Sequence, residues 1–315
     1  MKALLCPASL KGVLSARAAA AALGRGFREI GGDATELPVA DGGEGTCEAL
    51  ELALGGEWRD AVVSDPLGRP VPARWLLLPD GRAVVEAAAA IGLPLLAPHE
   101  RDPLRASSRG LGELLLAALV ESPASLVVGL GGTATVDGGA GLRECVRGLP
   151  VPAVALCDVR TRLADAARVF GPQKGASHAA IPELERRLEA MEELRPFAEL
   201  PGSGAAGGLG AAFAALGAEL VPGAPAVLDF LGFDGHLASH HLVVTGEGQI
   251  DVTTAEGKAP GEIARRCSVA GVRCVVFGGR VRVEIPGAET IELSGKRGQA
   301  EADLVDLGRR LGTNG

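Results

Sequence analysis

Short apolar segments alternate with helix-like periodic segments at the start of the chain. Residues 2–6 form an apolar run typical of a buried strand, and Ser15 is placed as the N-cap of an Ala-rich helix that runs to about residue 30. A second strand is predicted over residues 35–39, and a second helix continues to about residue 54. This order predicts a doubly wound parallel sheet whose functional loops lie at the carboxyl ends of the strands.

The rhythm changes near residue 60. Strands predicted over residues 60–64, 73–78 and 83–87 are separated by turn sequences, which indicates an antiparallel meander. Further strands are predicted over residues 125–130 and 153–157, and helices over residues 112–121, 181–194 and 205–216.

A final β-α-β pattern repeats the alternation of strands and helices seen at the start of the chain. Its strands lie over residues 242–245 and 272–277, on either side of a helix at residues 260–267. We therefore predict an α/β protein of two domains. Residues 1–59 and 236–315 form the doubly wound parallel-sheet domain, and residues 60–235 form a mixed α/β domain inserted into it.

The composition of the 315-residue chain excludes several classes of protein. Apolar residues make up 47% and charged residues 22%, which excludes a disordered chain. A net charge of −8 and an aromatic content of 3% argue against nucleic-acid binding. No apolar run reaches the roughly 18 residues of a membrane span. The apolar stretch at residues 3–6 is too short for a signal peptide, so we expect a cytoplasmic protein.

Two scarce residue types carry information. The six cysteines form no C-x-x-C pair and lie mostly in apolar segments, which indicates buried, reduced thiols. Only 5 lysines stand against 26 arginines, and Lys11, Lys174 and Lys258 occur among Gly, Pro or Ser. A compact ammonium group on a phosphate or carboxylate would explain that placement, and solvated surface lysines are the alternative.

Glycine is abundant, with 46 residues clustered between the apolar segments. The P-loop pattern is absent. Residues 202–207 fit the G-x-G-x-x-G dinucleotide pattern without a preceding strand. Residues 129–134 fit its G-x-G-x-x-A variant after a strand, but no acidic residue ends a strand about 20 positions later. A nicotinamide-dependent oxidoreductase acting on a hydroxy acid therefore stays an alternative.

The glycine runs share a second feature, because acids and hydroxyl groups stand beside them. These neighbours are Asp41, Glu44, Thr133, Asp137, Thr245, Glu247 and Asp251. Glycine lets backbone N–H groups converge on phosphate oxygens, and a nearby carboxylate can hold Mg²⁺ or orient a hydroxyl group. Ordinary turns, in which Asp and Gly are also common, are the alternative.

Several of these runs resemble the bacterial glycerate kinase family. The similar stretches lie at residues 7–12, 38–45, 102–108, 131–139, 157–158, 170–176, 201–210, 245–251 and 257–260, in the family's order and across nearly the whole chain. The resemblance implies phosphorylation of glycerate with ATP and Mg²⁺. It also implies a flavodoxin-like domain, an inserted domain and an active site in the cleft between them.

The chain departs from the family pattern at five places. Ala8 stands where the family usually has Asp, Val136 where it has Asn, and Arg160 where a small polar residue is expected. The segment between Gly141 and Ala153 is also shorter by several dozen residues, and the carboxyl-terminal part is shortened. A catalytically weakened or inactive binding or regulatory protein is therefore a second alternative.

The expected reaction is direct in-line phosphoryl transfer to glycerate or a similar hydroxy acid, which requires local cations and carboxylates because both substrates are anions. The catalytic candidates are Lys11, Asp41, Asp137 and Asp158. Substrate or phosphate binding is assigned to Ser9, Gly42, Gly43, Arg105, Gly131, Gly132, Thr133, Lys174, Gly246 and Lys258. The metal ligands are Glu44, Glu247 and Asp251. A homodimer is the assembly considered, with no nucleic-acid or membrane partner.

Overall fold

The computed structural model describes residues 2–255 and 257–313. Its strands are β1 (Lys2–Pro7), β2 (Asp33–Glu36), β3 (Glu57–Ser64), β4 (Pro70–Leu77), β5 (Arg82–Glu86), β6 (Ser125–Gly129), β7 (Ala153–Cys157), β8 (Glu219–Pro222), β9 (Leu242–Ile250), β10 (Arg273–Val281) and β11 (Glu289–Glu292). Its α-helices are α1 (Ala16–Glu29), α2 (Thr46–Leu54), α3 (Ala87–Ile91), α4 (Arg109–Val120), α5 (Ala140–Cys145), α6 (Ala166–Phe170), α7 (Ile181–Glu189), α8 (Ala205–Ala215), α9 (Gly223–Phe230), α10 (Phe233–Leu237), α11 (Val252–Ala255), α12 (Ala259–Ala270) and α13 (Ala300–Thr313).

These elements form two compact units. Among the described residues, unit 1 contains the chain up to Asp41, Glu48–Ala53 and everything from Ala224 onward. Unit 2 contains Gly42–Cys47 and Leu54–Gly223. The predicted inserted domain extended to residue 235, whereas α9 and α10 group with unit 1. Arg266 of α12 explains this, because its guanidinium contacts Asp229, Asp234 and the carbonyl of Pro225.

The sheet of unit 1 has the strand order β2-β1-β9-β10-β11, with every neighbouring pair parallel. Counted along this sheet the order is 2-1-3-4-5, which is the flavodoxin-like order. Alternate side chains cover its two faces. Leu5 and Phe277 lie in one core cluster with α1 and α13, whereas Cys6 lies near Cys267 of α12. The predicted doubly wound sheet is confirmed.

Helix α1 shows how the local sequence sets an element. The Ser15 hydroxyl accepts a hydrogen bond from the N–H of Ala18 at 3.2 Å, so it caps the helix as predicted. Gly26 and Gly308 allow α1 and α13 to approach closely. A Cβ atom on Gly26 would stand 2.0 Å from the carbonyl oxygen of Val305. The two helices therefore bury the amino-terminal and carboxyl-terminal segments of unit 1 together.

The sheet of unit 2 has the order β3-β4-β5-β6-β7-β8. β3, β4 and β5 pair antiparallel, as the predicted meander requires, and β5 to β8 pair parallel. Its core joins Trp75 of β4 to Leu111 and Leu115 of α4 and to Phe213 of α8. Across the described residues, no helix is both long and apolar enough to span a membrane.

Candidate functional site

A pocket lies at the carboxyl edge of the sheet in unit 1. The strand order reverses between β1 and β9. Ligands of open α/β sheets bind outside the carboxyl ends of the strands at such a reversal. The cavity there has a volume of about 380 Å³, and Ser9, Lys11, Glu247 and Lys258 are among its lining residues. Its size falls within the roughly 300–1,000 Å³ range of small-molecule sites.

The Gly246–Gly248 segment is a continuation of β9, and the interpretation of this segment as a loop is wrong. Gly246 pairs with Pro7 of β1 and with Phe277 of β10, and Glu247 pairs with Gly278. A Cβ atom on Gly246 would stand 2.1 Å from the carbonyl oxygen of Phe277. The glycine therefore permits close packing of strands, a use of glycine that sequence alone does not separate from a phosphate loop.

Glu247 is the centre of this pocket's electrostatics. Its Oε1 accepts a 2.7 Å hydrogen bond from the Thr254 hydroxyl, and its Oε2 lies 3.8 Å from Nζ of Lys258. Burial raises the pKa of Glu247, and the charge of Asp41 raises it further, whereas Lys258 and Lys11 lower it. Three residues predicted from separate parts of the sequence, Lys11, Asp41 and Lys258, thus act on the Glu247 carboxylate.

Asp251 lines the same pocket, but its carboxylate organises the turn into α11. Its Oδ1 accepts hydrogen bonds from the N–H and the hydroxyl of Thr253 at 2.9 and 2.6 Å, and its Oδ2 accepts one from Gln249 at 3.1 Å. The Thr253 hydrogen bond is the main cause that lowers the pKa of Asp251 to about 2. The carboxylate is ionised but already occupied, so its predicted role as a metal ligand receives no support from its contacts.

Three further cations line the pocket, and sequence reasoning missed them. They are Arg280 in β10 and Lys296 and Arg297 in the segment between β11 and α13. A usable signal was present, because the glycines at 278–279 lie near the end of β10 and Gly295 follows β11. The prediction for this part of the chain stopped at residue 277, and β11 and α13 were not predicted.

The glycine loop at residues 42–45 lies at the carboxyl edge of the second sheet. A Cβ atom on Gly42 would stand 2.6 Å from Cβ of Leu156 in β7, and one on Gly131 would stand 2.7 Å from Cα of Gly43. The predicted glycines of this loop and of the loop after β6 are therefore in direct contact within unit 2. Their small size is required by this packing, and their N–H groups lie where parallel strands end.

Gly42 and Gly45 allow a matched test of this packing. Both have a left-handed backbone, with φ of +89° and +92°, but a Cβ atom on Gly45 would meet no atom within 4 Å. We expect Gly45→Ala to cost ~1 kcal/mol of unfolding free energy from backbone strain alone. Gly42→Ala should cost a further ~1–3 kcal/mol because the new methyl group overlaps Leu156. Urea unfolding of both variants measures the difference, and equal losses would contradict the contact.

Lys174 is buried, in contrast to the phosphate-binding cation predicted there. Its Nζ donates to the Thr133 hydroxyl at 3.0 Å and to the carbonyl oxygen of Thr135 at 2.7 Å. Burial lowers the pKa of Lys174 to about 7, and the charge of Asp137 opposes that shift. The ammonium group therefore fixes the segment that follows β6 from inside unit 2, and its contacts are with the protein.

The carboxylate of Asp137 is also hydrogen-bonded to other groups of the protein. Its Oδ2 accepts hydrogen bonds from the N–H and hydroxyl of Ser108 at 2.8 and 2.7 Å and from the N–H of Gly141 at 3.3 Å, and its Oδ1 accepts one from Gly139 at 3.2 Å. Four donors hold this carboxylate between the starts of α4 and α5. Such a group is a structural anchor, and the contacts do not favour its predicted role as a catalytic base.

The remaining predicted residues of unit 2 lie at or near the same edge or on the surface. Asp158 follows β7 and is exposed, and Arg105 and Glu44 are exposed as well. Sequence reasoning missed Glu86 at the end of β5, whose Oε1 accepts the N–H of Cys47 at 2.8 Å. Burial raises the pKa of Glu86, and the charge of Glu44 contributes to the increase.

The described residues offer at most small groupings of side chains that could bind a metal ion. Within residues 2–255 and 257–313, no group of three or more His, Cys, Asp or Glu side chains is arranged to hold a metal ion. Mg²⁺ is commonly held by one or two carboxylates together with substrate phosphates. Glu247, whose carboxyl pKa the charge of Asp41 raises, fits that smaller donor set. The six cysteines are all free and five are buried, which confirms their predicted state.

The fold and the cation-lined pocket define an α/β protein suited to small anionic ligands. The sequence profile described as the Glycerate kinase family matches residues 3–149 and 146–296, and the chain belongs to this family. It is 42% identical to the glycerate 2-kinase of Escherichia coli K12 (82% of this chain, 80% of the relative) and 37% identical to the glycerate kinase of Bacillus subtilis 168 (89% and 85%). A crystal structure from Salmonella typhimurium LT2, provisionally named glycerate kinase 2, matches with a TM-score of 0.86 and 33% identity over 100% of this chain and 98% of that one.

The family and the fold class inferred from the sequence are thereby confirmed. The dinucleotide interpretation of residues 129–134 is not supported, because β6 is followed by a bridge at Thr133 and the next helix, α5, begins only at Ala140. The fingerprint requires a helix directly after the glycines. In the 202–207 run, Ala206 and Gly207 have left-handed backbone, as does Gly208, which interrupts α8 where such a fingerprint needs a regular helix start.

Proposed function

We propose that this protein phosphorylates glycerate with ATP and Mg²⁺ by direct in-line transfer. The observation that carries the proposal is the pocket at the strand reversal of unit 1, which Lys11, Glu247 and Lys258 line, with the charge of Asp41 acting on Glu247. Phosphoryl transfer depends mainly on positioning and on charge neutralisation, and this set supplies both cations and carboxylates. Family membership supports the same reaction.

The surroundings of each candidate residue suggest its role in the proposed reaction. Lys11 and Lys258 are assigned to phosphate oxygens. Asp41 is assigned as the acceptor of the hydroxyl proton, in preference to Asp137, whose carboxylate already accepts four hydrogen bonds. Ser9 lines the pocket and is assigned to a hydrogen bond with a substrate oxygen. Asp158 stays a rival candidate for the base.

Mg²⁺ would be held by Glu247, with Asp41 beside it. A buried carboxylate whose pKa is raised is short of compensating charge, so a divalent cation would stabilise its ionised form. When bound with ATP, Mg²⁺ supplies neutralisation of the phosphate charge. The phosphate contacts of Gly42, Gly43, Arg105, Gly131, Gly132 and Thr133 stay predictions, as do the metal role of Glu44, the homodimer and the shared active-site cleft.

The direct test follows ADP with purified protein, ATP, Mg²⁺ and D-glycerate. Glycerate-dependent ADP formation is the expected result, and ³¹P spectra of the product identify the phosphorylated hydroxyl group. We propose the 2-position, on the similarity to the Escherichia coli glycerate 2-kinase. ATP binding without turnover would instead favour a binding or regulatory protein, the alternative that Ala8 raises.

Ala8 gives a prediction of its own. Its N–H donates to the carbonyl oxygen of Gly246 at 2.9 Å, which places residue 8 next to the pocket residue Ser9. Because Asp41 and Glu247 already supply carboxylates to unit 1, we expect Ala8→Asp to change kcat/KM by no more than about threefold, or ~0.6 kcal/mol. Ala8→Asn is the control for size. A gain of tenfold or more with Asp alone would show that the missing carboxylate limits the rate.

A further inference from the structure

A basic rim lies on the side of the unit 1 pocket formed by β10 and by the segment after β11. We define it as Arg280, Lys296 and Arg297, all of which are exposed and line the cavity. Lys11 and Lys258 lie on the same cavity, from the β1 and β9 side. Five cationic side chains thus share one pocket in a protein whose net charge is −8.

The charge of the rim is not neutralised by the pocket's acids. Glu247 is engaged by Lys258 and Thr254, Asp251 by Thr253 and Gln249, and Asp303 by the Ser294 hydroxyl at 2.5 Å. Among the described residues, the side chains of Arg280, Lys296 and Arg297 have no ion-pair or hydrogen-bond partner. Exposed cations that share a cavity and have no acidic partner repel one another, so an anionic ligand would relieve that repulsion.

The backbone that carries the rim is held in place. The N–H of Leu293 donates to the carbonyl oxygen of Gly278 at 2.8 Å, and the N–H and the hydroxyl of Ser294 both donate to Asp303. Gly295 has a φ of +69°, and a Cβ atom there would lie 3.0 Å from the carbonyl oxygen of Gly279. The segment after β11 is thus fixed against β10, which presents the three cations without a large ordering cost on binding.

We propose that the basic rim binds the phosphate chain of a nucleoside triphosphate. The inference rests on the proposed kinase function and assigns the donor nucleotide, rather than the acid, to this part of the pocket. Glycerate carries one negative charge and needs one cation for its carboxylate. A triphosphate carries about four negative charges spread over three groups, which matches several separated cations. Arginine suits the rim because its planar guanidinium pairs with phosphate through two parallel hydrogen bonds.

The test replaces the rim as a set, with Arg280→Gln, Lys296→Gln and Arg297→Gln in one variant. Arg282→Gln, an exposed arginine just after β10 that does not line the cavity, is the matched control. We expect the KM for ATP and its calorimetric Kd to rise at least about tenfold in the rim variant, while the KM for glycerate changes less than about twofold. Inorganic tripolyphosphate should compete with ATP on the wild-type protein and compete more weakly on the variant.

Other results of this experiment would either overturn the proposal or separate it from the proposed reaction. A rise in the KM for glycerate without one for ATP would overturn the proposal, because the rim would then serve the acid. Unchanged affinity for both ligands would overturn it as well. Calorimetry requires no turnover, so ATP binding that weakens in the rim variant of a protein that forms no ADP would sustain the inference while the proposed reaction fails. Thermal melting of the variant confirms that it is folded.

Discussion

Glu247→Gln is expected to reduce kcat for glycerate-dependent ADP formation about a hundredfold or more, a loss typical of removing one group that stabilises developing charge. Gln has the same size and keeps an oxygen that can accept the Thr254 hydrogen bond. The change therefore removes the negative charge with little disturbance of the packing. If Glu247 holds Mg²⁺, the Mg²⁺ concentration for half-maximal rate should also rise.

The pH profile adds a second readout for Glu247. Burial raises the pKa of this carboxyl in the metal-free protein, and the proposed role needs its ionised form, so at sub-saturating Mg²⁺ the wild-type rate should fall on acidification at a higher pH than for an ordinary glutamate. The Gln variant should lack that decline. Glu284→Gln, at an exposed carboxylate of unit 1 away from the pocket, is the control. A wild-type rate and an unchanged Mg²⁺ dependence in the Glu247→Gln enzyme would remove Glu247 from the site.

Lys174→Met is expected to abolish a large pH dependence of stability. Burial lowers the pKa of Lys174 to about 7 in the folded protein, against an ordinary value of 10.5. Between these values the unfolded chain binds more protons than the folded protein, so the unfolding free energy of the wild type rises with pH through this window. The expected rise is roughly 2 kcal/mol between pH 7 and pH 9. It is lost again as the pH falls toward the folded-state pKa.

The measurement is urea unfolding of wild type and variant at pH 7, 8 and 9. Met also leaves the Thr133 hydroxyl and the Thr135 carbonyl oxygen without their donor, which costs about 1–3 kcal/mol at all three pH values. The two effects separate because only the first changes with pH. Lys296→Met removes an exposed amine and should keep the wild-type slope. An unchanged slope in Lys174→Met would mean that the ammonium group is solvated.

Local signals of the fold were readable where side chains interact within a few residues. The Ser15 cap and strand β7 agree with the prediction. A hydroxyl group before an Ala-rich run strongly favours a helix start, and a five-residue apolar run favours a short buried strand. β2 was predicted over residues 35–39 and found at Asp33–Glu36. Even so, the N–H groups of Leu37 and Val39 still bond to carbonyls of β1. The residue at which β2 ends therefore depends on the hydrogen-bond geometry between β2 and β1, which the pattern of apolar residues does not specify.

The sequence predicted which residues lie at the site better than it predicted what each of them contacts. Lys11, Asp41, Glu247 and Lys258 were all identified, since charged residues beside glycine near strand ends are uncommon without a use. Lys174 and Asp137 have the same sequence surroundings, yet long-range hydrogen bonds to Thr133 and Ser108 turn them inward. The basic rim was missed because Arg280 lies in β10 whereas Lys296 and Arg297 follow β11, and no spacing along the chain reveals that these residues share a cavity.

The insertion of unit 2 affects the order in which the chain can acquire its structure. Thr245 of β9 bonds to Cys6 of β1 across 239 positions of sequence, so the central strand pair of unit 1 is incomplete until most of the protein has been synthesised. Unit 2 is nearly continuous in sequence and complete once residue 223 has left the ribosome. The pocket that we assign to catalysis therefore assembles last. A chain that ends after unit 2 would lack β9 and β10, and with them Glu247 and Arg280 of the pocket.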